Sequence, residues 1–211
     1  MKYKHIIWDY NGTILDDTQL VLDILNIMLE EKSLPTCTMD EYREVFDFPI
    51  IDYYKNVGFD LDRYSFAELA NQFTDMYEKM FEEAALREGI VETIENLHAK
   101  GYDQSILTAG REKNIKNEIK AFGLDKYIKE ITGLHNNQAE SKVFLAEQHL
   151  HKIKVRPEEI LFIGDTTHDF LVAQEIGCDC VLLSGGHQSV GRLLAVNNMV
   201  AQRPEDIEKY L

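Results

Sequence analysis

The stretch His5-Ile6-Ile7-Trp8-Asp9-Tyr10-Asn11-Gly12-Thr13 decides how the rest of the chain is read. A short, mostly apolar run without polar alternation reads as a buried strand, and Asn-Gly is a turn former that ends it. The same grammar recurs further on. Ser105-Ile106-Leu107 runs into Thr108-Ala109-Gly110, and Ile160-Leu161-Phe162-Ile163 runs into Gly164-Asp165-Thr166-Thr167-His168-Asp169. Cys180-Val181-Leu182-Leu183 runs into Ser184-Gly185-Gly186-His187. Between these strands lie helical patterns: Ile90, Ile94 and Leu97 closed by Gly101, then Ile115, Ile119 and Phe122 closed by Gly123. A third carries Val143, Ala146 and Leu150, and a short fourth ends at Gly177. Strands alternating with helices predict an α/β fold with a doubly wound parallel sheet.

One block breaks the alternation. Leu20, Val21, Ile24, Leu25 and Met28 share a helical face, and so do Leu69, Phe73, Met76, Tyr77, Met80, Phe81 and Ala84. Thr38 with Glu41 and Ser65 with Glu68 are capping boxes that open helices between them. No strand pattern interrupts this block. The expected organisation is an α/β core of residues 1–15 and 87–211, with an all-helical cap of residues 16–86 inserted after the first strand. The aromatic stripe Phe73, Tyr77, Phe81 is expected to be cap core.

The charge balance narrows the partners. Against 22 Lys and Arg stand 37 Asp and Glu, a formal net charge of −15 over 211 residues. Such a surface repels phosphate backbones and anionic membranes, and no basic stripe offsets it. A small anionic substrate therefore needs local positive charge from Lys, Arg or a metal. The three cysteines, Cys37, Cys178 and Cys180, have neither disulfide nor zinc spacing, and no apolar run is long enough for a bilayer. A cytoplasmic enzyme is expected.

Each polar cluster follows a strand, so all of them fall at the edge where α/β sheets bind ligands. Asp9 and Asp165 offer the oxygen ligands that Mg²⁺ prefers. An aspartate can also act as a nucleophile, forming an aspartyl-phosphate that water later opens. Thr108, Lys142 at a helix start beside Ser141, and the Gly110 amide can hold phosphoryl oxygens. His187 falls at the same edge. Arg111 is expected in a helix first turn, and His168 is expected to face solvent.

At these residues the chain resembles the haloacid-dehalogenase-like superfamily. The Asp9-to-Thr13 loop, Thr108, Lys142 and Gly164-Asp165-x-x-x-Asp169 stand in the order of that family's four motifs. The resemblance implies that Asp9 is the nucleophile and that Thr108, with Ala109 and Gly110, and Lys142 bind the phosphoryl group. It implies Mg²⁺ on Asp9, the Asn11 carbonyl and Asp165, with Asp169 a ligand or just behind one. The helical block resembles the family's alpha-helical cap, and residues 46–59 resemble the segment facing substrate in phosphoglycolate-phosphatase-like members. The implied activity is hydrolysis of a small phosphorylated metabolite.

The chain departs from the family at Asn11. Most of its phosphatases carry a second Asp there, which protonates the leaving oxygen. Asn cannot shuttle a proton at neutral pH, and losing a general acid typically lowers a rate by roughly 10²–10⁴. Aryl or acyl phosphates are therefore the expected substrates, unless His187 or Asp16 replaces the missing acid. The rival expectation is a slow or degenerate member that binds a phospho-ligand or regulates.

Overall fold

The computed structural model describes residues 2–134 and 142–211, so Ser141 lies outside the described residues. The first strand, β1 (His5–Trp8), is buried at every position. A two-residue ribbon follows, β2 (Leu15–Asp16) antiparallel to β3 (Ala85–Leu86). Between its strands run α1 (Thr18–Glu31), α2 (Met39–Val45), α3 (Ile50–Asn56) and α4 (Phe66–Met80). The expected boundaries at 16 and 86 thus fall inside this ribbon, which brings the two ends of the helical block together. Both capping boxes form, at the starts of α2 and α4. The last turn differs from expectation, because α4 stops at Met80 and Phe81 opens a 3₁₀ turn.

The remaining elements are α5 (Ile90–Ala99), β4 (Asp103–Arg111), α6 (Glu112–Ala121), β5 (Glu130–Leu134), α7 (Lys142–Ile153) and β6 (Ile160–Gly164). They are followed by α8 (Thr167–Ile176), β7 (Asp179–Leu183), α9 (Val190–Val196) and β8 (Val200–Ala201). Six strands form one parallel sheet in the order β5-β4-β1-β6-β7-β8. The chain winds outward from β1 to β5 on one side and then crosses back to β6 on the other. Asp9, at the carboxyl end of β1, therefore sits in the middle of the ligand-binding edge.

Alternation along the strands feeds two cores. Ile6, Trp8, Ile106, Leu161, Ile163 and Val181 pack with Ile90, Ile94 and Leu97 of α5 and Ile115 and Ile119 of α6. Ile7, Leu107, Phe162 and Leu182 face the other way, onto Leu145 and Ala146 of α7 and Val172 and Ala173 of α8. A third core, around Ile24, Met28, Tyr42, Tyr53 and Leu69, belongs to the helical block.

Two sheet strands have no counterpart in the sequence reading. β5 reads Glu-Ile-Thr-Gly-Leu and β8 is two residues long, so neither presents an apolar run. β4 also continues to Arg111, beyond the expected end at Leu107.

Candidate active site

Three carboxylates converge at the strand ends. Asp9 follows β1, Asp165 follows β6, and Asp169 is the third residue of α8. All three are buried, and each offers an oxygen within 4.8 Å of the others. The buried Lys142, at the described start of α7, donates to Asp9 Oδ1 and to Asp169 Oδ1, the latter at 2.5 Å. Burial, reinforced by Asp169 and Asp165, pushes the Asp9 pKa up to about 8 despite the ammonium. Burial likewise raises Asp165, while Lys142 outweighs burial at Asp169 and lowers it. Three carboxylates facing one ammonium leave a surplus of negative charge that a divalent cation fits.

Local structure holds each carboxylate in place. Asp169 is also a helix cap: its Oδ2 accepts from the amides of Asp165 (3.1 Å) and Thr166 (3.0 Å) and from the Thr166 hydroxyl (2.7 Å). That leaves Oδ1 for Lys142. Asp165 Oδ1 accepts from Thr13 Oγ1 at 2.9 Å and Oδ2 from the His187 amide at 2.7 Å. Gly12 and Gly186 permit this closeness. A Cβ at either would stand 2.4 Å or 2.3 Å from Asp165 Oδ2, and Gly12 also has a φ of +70°.

Thr108 is buried and Ala109 exposed, both within the last residues of β4. The Gly110 amide, expected to face a phosphoryl oxygen, donates instead to Thr108 Oγ1 at 2.9 Å. Gly110 also sits in a strand rather than in a turn.

A second cluster adjoins the first, and the sequence reading did not anticipate it. Buried Asp17 accepts from the Gly12 amide at 2.9 Å and from Asn11 Nδ2 at 2.7 Å. Tyr77 of α4 joins them, donating to Asp17 Oδ2 at 2.8 Å and accepting from Asn11 Nδ2 at 2.9 Å. The stripe residue expected to serve as cap core thus turns its hydroxyl to the core. His187 Nε2 stands 3.3 Å from Asp17 Oδ1, and its Nδ1 is 2.7 Å from Tyr42 OH. Burial pulls this imidazole down, but Asp17 and Asp165 outweigh it and raise the pKa to about 9. Asp16, by contrast, is exposed on β2. The signal for Asp17 was hidden because an Asp before a helical pattern reads as an N-cap. Asp17 does precede α1, yet its side chain caps nothing there.

The helical block is tied to this edge. Arg43 of α2 donates to the carbonyls of Gly186 (3.0 Å) and Gly185 (2.9 Å). Arg192 of α9 donates to Phe46 O at 2.5 Å and pairs with Asp47 at 2.8 Å. Within the core, Arg87 donates to Gly12 O at 2.6 Å and to Ser184 O. Arg111, expected in a helix first turn, is instead the last residue of β4, just before α6, and pairs with Glu78 of α4 at 3.2 Å. His168, expected in solvent, instead stacks on Phe48 with ring centroids 4.6 Å apart. Its place in α8 turns the ring toward the α2–α3 connection.

A parallel sheet with a buried acidic triad and a lysine at its carboxyl edge defines a phosphoryl-transfer class of α/β hydrolase. The sequence profile of the haloacid dehalogenase-like hydrolases matches residues 6–183. The chain belongs to this family, and with phosphatases and pyrophosphatases among its relatives it is an enzyme of the phosphatase kind. It is 25% identical over 196 residues to the phosphoglycolate phosphatase of Mannheimia succiniciproducens, covering 88% of each chain. It is 21% identical over 178 residues to the pyrophosphatase PpaX of Halalkalibacterium halodurans, covering 84% of this chain and 81% of that one. A haloacid dehalogenase-like hydrolase from Streptococcus pneumoniae shares the fold with a TM-score of 0.86 at 22% identity, covering 99% of this chain and 98% of the other. No helix among the described residues is long and apolar enough to cross a membrane.

Proposed function

We propose that the protein hydrolyses a small phosphorylated metabolite through an aspartyl-phosphate on Asp9, with Mg²⁺ as cofactor. The observation that carries this reading is the buried triad of Asp9, Asp165 and Asp169, with Lys142 as the ammonium that pairs with two of its members. Asp9, Asp165 and the Asn11 carbonyl would hold the cation, with Asp169 beside them. When bound, it supplies charge that screens the carboxylates from the incoming phosphoryl oxygens. One Asp9 carboxylate oxygen attacks phosphorus in line, and the ester oxygen leaves with the electron pair of the broken bond. Lys142 and the Thr108 hydroxyl donate to the phosphoryl oxygens as charge develops. Water then opens the acyl phosphate and returns Asp9.

The helical block acts as the cap, with the α2–α3 connection over the site. The Phe48–His168 stack and the Arg43 and Arg192 contacts support this. His187 serves as a bridge between cap and core, because its ring nitrogens already face Asp17 and Tyr42. Both hydrogens of the Asn11 amide point to Asp17 and Tyr77. The leaving oxygen therefore departs without a proton from this residue, which favours aryl, acyl or anhydride phosphates. The names of the relatives, phosphoglycolate phosphatase and pyrophosphatase, point to small phosphorylated substrates. Three free cysteines, two of them buried, suit a reducing cytoplasm. The same engaged amide favours one second reading, a slow member that holds a phospho-ligand in a regulatory role.

The test is steady-state hydrolysis of p-nitrophenyl phosphate and glycerol phosphate, with and without Mg²⁺, and Asp9→Asn as the blank. Metal-dependent turnover abolished in that variant is the expected result. Absence of turnover in a folded protein that binds Mg²⁺ would favour the regulatory reading.

A further inference from the structure

We infer that Asp17 is a positioning residue that sets the leaving-group selectivity of the site by fixing the Asn11 side chain as a hydrogen-bond acceptor. This inference rests on the phosphatase reading above. A carboxylate only accepts hydrogen bonds, so the Asn11 nitrogen must be the atom that faces Asp17 Oδ2 at 2.7 Å. Its second hydrogen goes to Tyr77 OH at 2.9 Å, and that hydroxyl donates back to the same Asp17 oxygen at 2.8 Å. The closed triangle consumes both amide donors. The amide oxygen is thereby turned toward the end of β4: it lies 3.6 Å from where a Cβ on Gly110 would stand, and Thr108 Oγ1 lies 3.3 Å from the same point. Toward the phosphoryl position, Asn11 presents an acceptor and no donor. It can orient a water but cannot donate to a departing oxygen.

Asp17 is placed for this task at the expense of a local one. It occupies the N-cap of α1, where Asp ordinarily bonds the helix amides, yet its two oxygens serve Gly12, Asn11, Tyr77 and His187 instead. The contact to the Gly12 amide at 2.9 Å ties the same carboxylate to the backbone just after Asn11. Asn at position 11 and Asp at position 17 are therefore one unit. An aspartate at position 11 with Asp17 in place would set two carboxylate oxygens face to face at hydrogen-bond distance, with no donor between them. Exchanging the pair restores one donor and one acceptor and moves the carboxylate to the substrate side.

The experiment is a double-mutant cycle of Asn11→Asp, Asp17→Asn and the combined variant, read in two ways. With Mg²⁺, kcat and KM are measured on p-nitrophenyl phosphate and glycerol phosphate. Without metal, thermal unfolding is followed in chelator. Asn11→Asp alone should lower kcat on both substrates at least about tenfold and lower Tm by at least about 4 °C. The combined variant should exceed Asn11→Asp by at least about tenfold in kcat and recover at least half of the lost Tm. Its alkyl-to-aryl rate ratio should rise above that of the parent by at least about tenfold, short of the roughly 10²–10⁴ that a well-placed general acid supplies. Faster glycerol phosphate turnover in Asn11→Asp alone, or effects of the two substitutions that simply multiply, would overturn the inference. If Asn11→Asp does not fold, a folded combined variant supports the unit. If neither folds, Asp17→Asn alone decides: it removes the carboxylate that fixes the Asn11 amide and should shift the ratio toward the alkyl substrate, and an unchanged ratio refutes the inference. A parent protein without any turnover would defeat the phosphatase reading, while the Tm cycle would still report whether Asn11 and Asp17 are coupled.

Discussion

Acidification should destabilise this protein through two histidines buried below the active site. His5 of β1, Ser105 of β4 and His149 of α7 form a chain of contacts, His5 Nε2 to Ser105 Oγ at 2.7 Å and Ser105 Oγ to His149 Nε2 at 2.7 Å. His149 Nδ1 lies 2.8 Å from Thr132 Oγ1 on β5. Burial lowers the His5 pKa to about 4 and that of His149 to about 3, the latter helped by repulsion from His5. In the unfolded chain both return to about 6.5. The unfolded state therefore binds more protons between these limits, and stability falls as pH falls. The contribution is complete above about 6.5 and is lost progressively as pH drops toward 4. At pH 5 each unfolded imidazole gains roughly 2 kcal/mol from protonation, so the pair lowers stability by roughly 4 kcal/mol relative to pH 7.5. Chemical denaturation at half-unit steps from pH 7.5 to 5 measures this loss. Carboxylates titrate in the same range, so the decisive comparison is with His149→Gln and His5→Gln. Each replacement should reduce the slope of stability against pH, between pH 5 and 6, by about 1.2 kcal/mol per unit. Unchanged slopes in both variants would refute the reasoning.

Three further outcomes follow from the site. Lys142→Met removes an ammonium facing a buried carboxylate triad; kcat should fall at least about 10²-fold, and Mg²⁺ should raise Tm more in the variant than in the parent. Equal Mg²⁺ stabilisation in both would contradict the charge argument. Gly186→Ala places a Cβ 2.3 Å from Asp165 Oδ2, so Mg²⁺ affinity, measured calorimetrically, should weaken about 10- to 100-fold while the overall secondary structure is retained. Arg192→Ala releases the carbonyl of Phe46 and the carboxylate of Asp47; KM should rise severalfold with kcat nearly unchanged, and an unchanged KM would mean that this tether does not hold the cap.

The sequence by itself determined the layered architecture, because local rules sufficed for it. His5–Trp8 and Ile160–Ile163 are apolar runs that bury on both faces, and the capping boxes at Thr38 and Ser65 announce α2 and α4 without tertiary help. The triad was legible for the same reason: each Asp directly follows a strand or opens the next helix, and parallel winding brings all such residues to one edge. β5 and β8 were not legible, since an edge strand such as Glu130–Leu134 gains its conformation by pairing with β4 and not from its own pattern. Nor were the partners of Asn11. Asp17 and Tyr77 are 6 and 66 residues away, and only docking of α4 against the first loop closes their triangle. Hydrogen-bond direction decides whether Asn11 donates or accepts. That direction is a property of the packed side chains around it, and the sequence names those residues without arranging them.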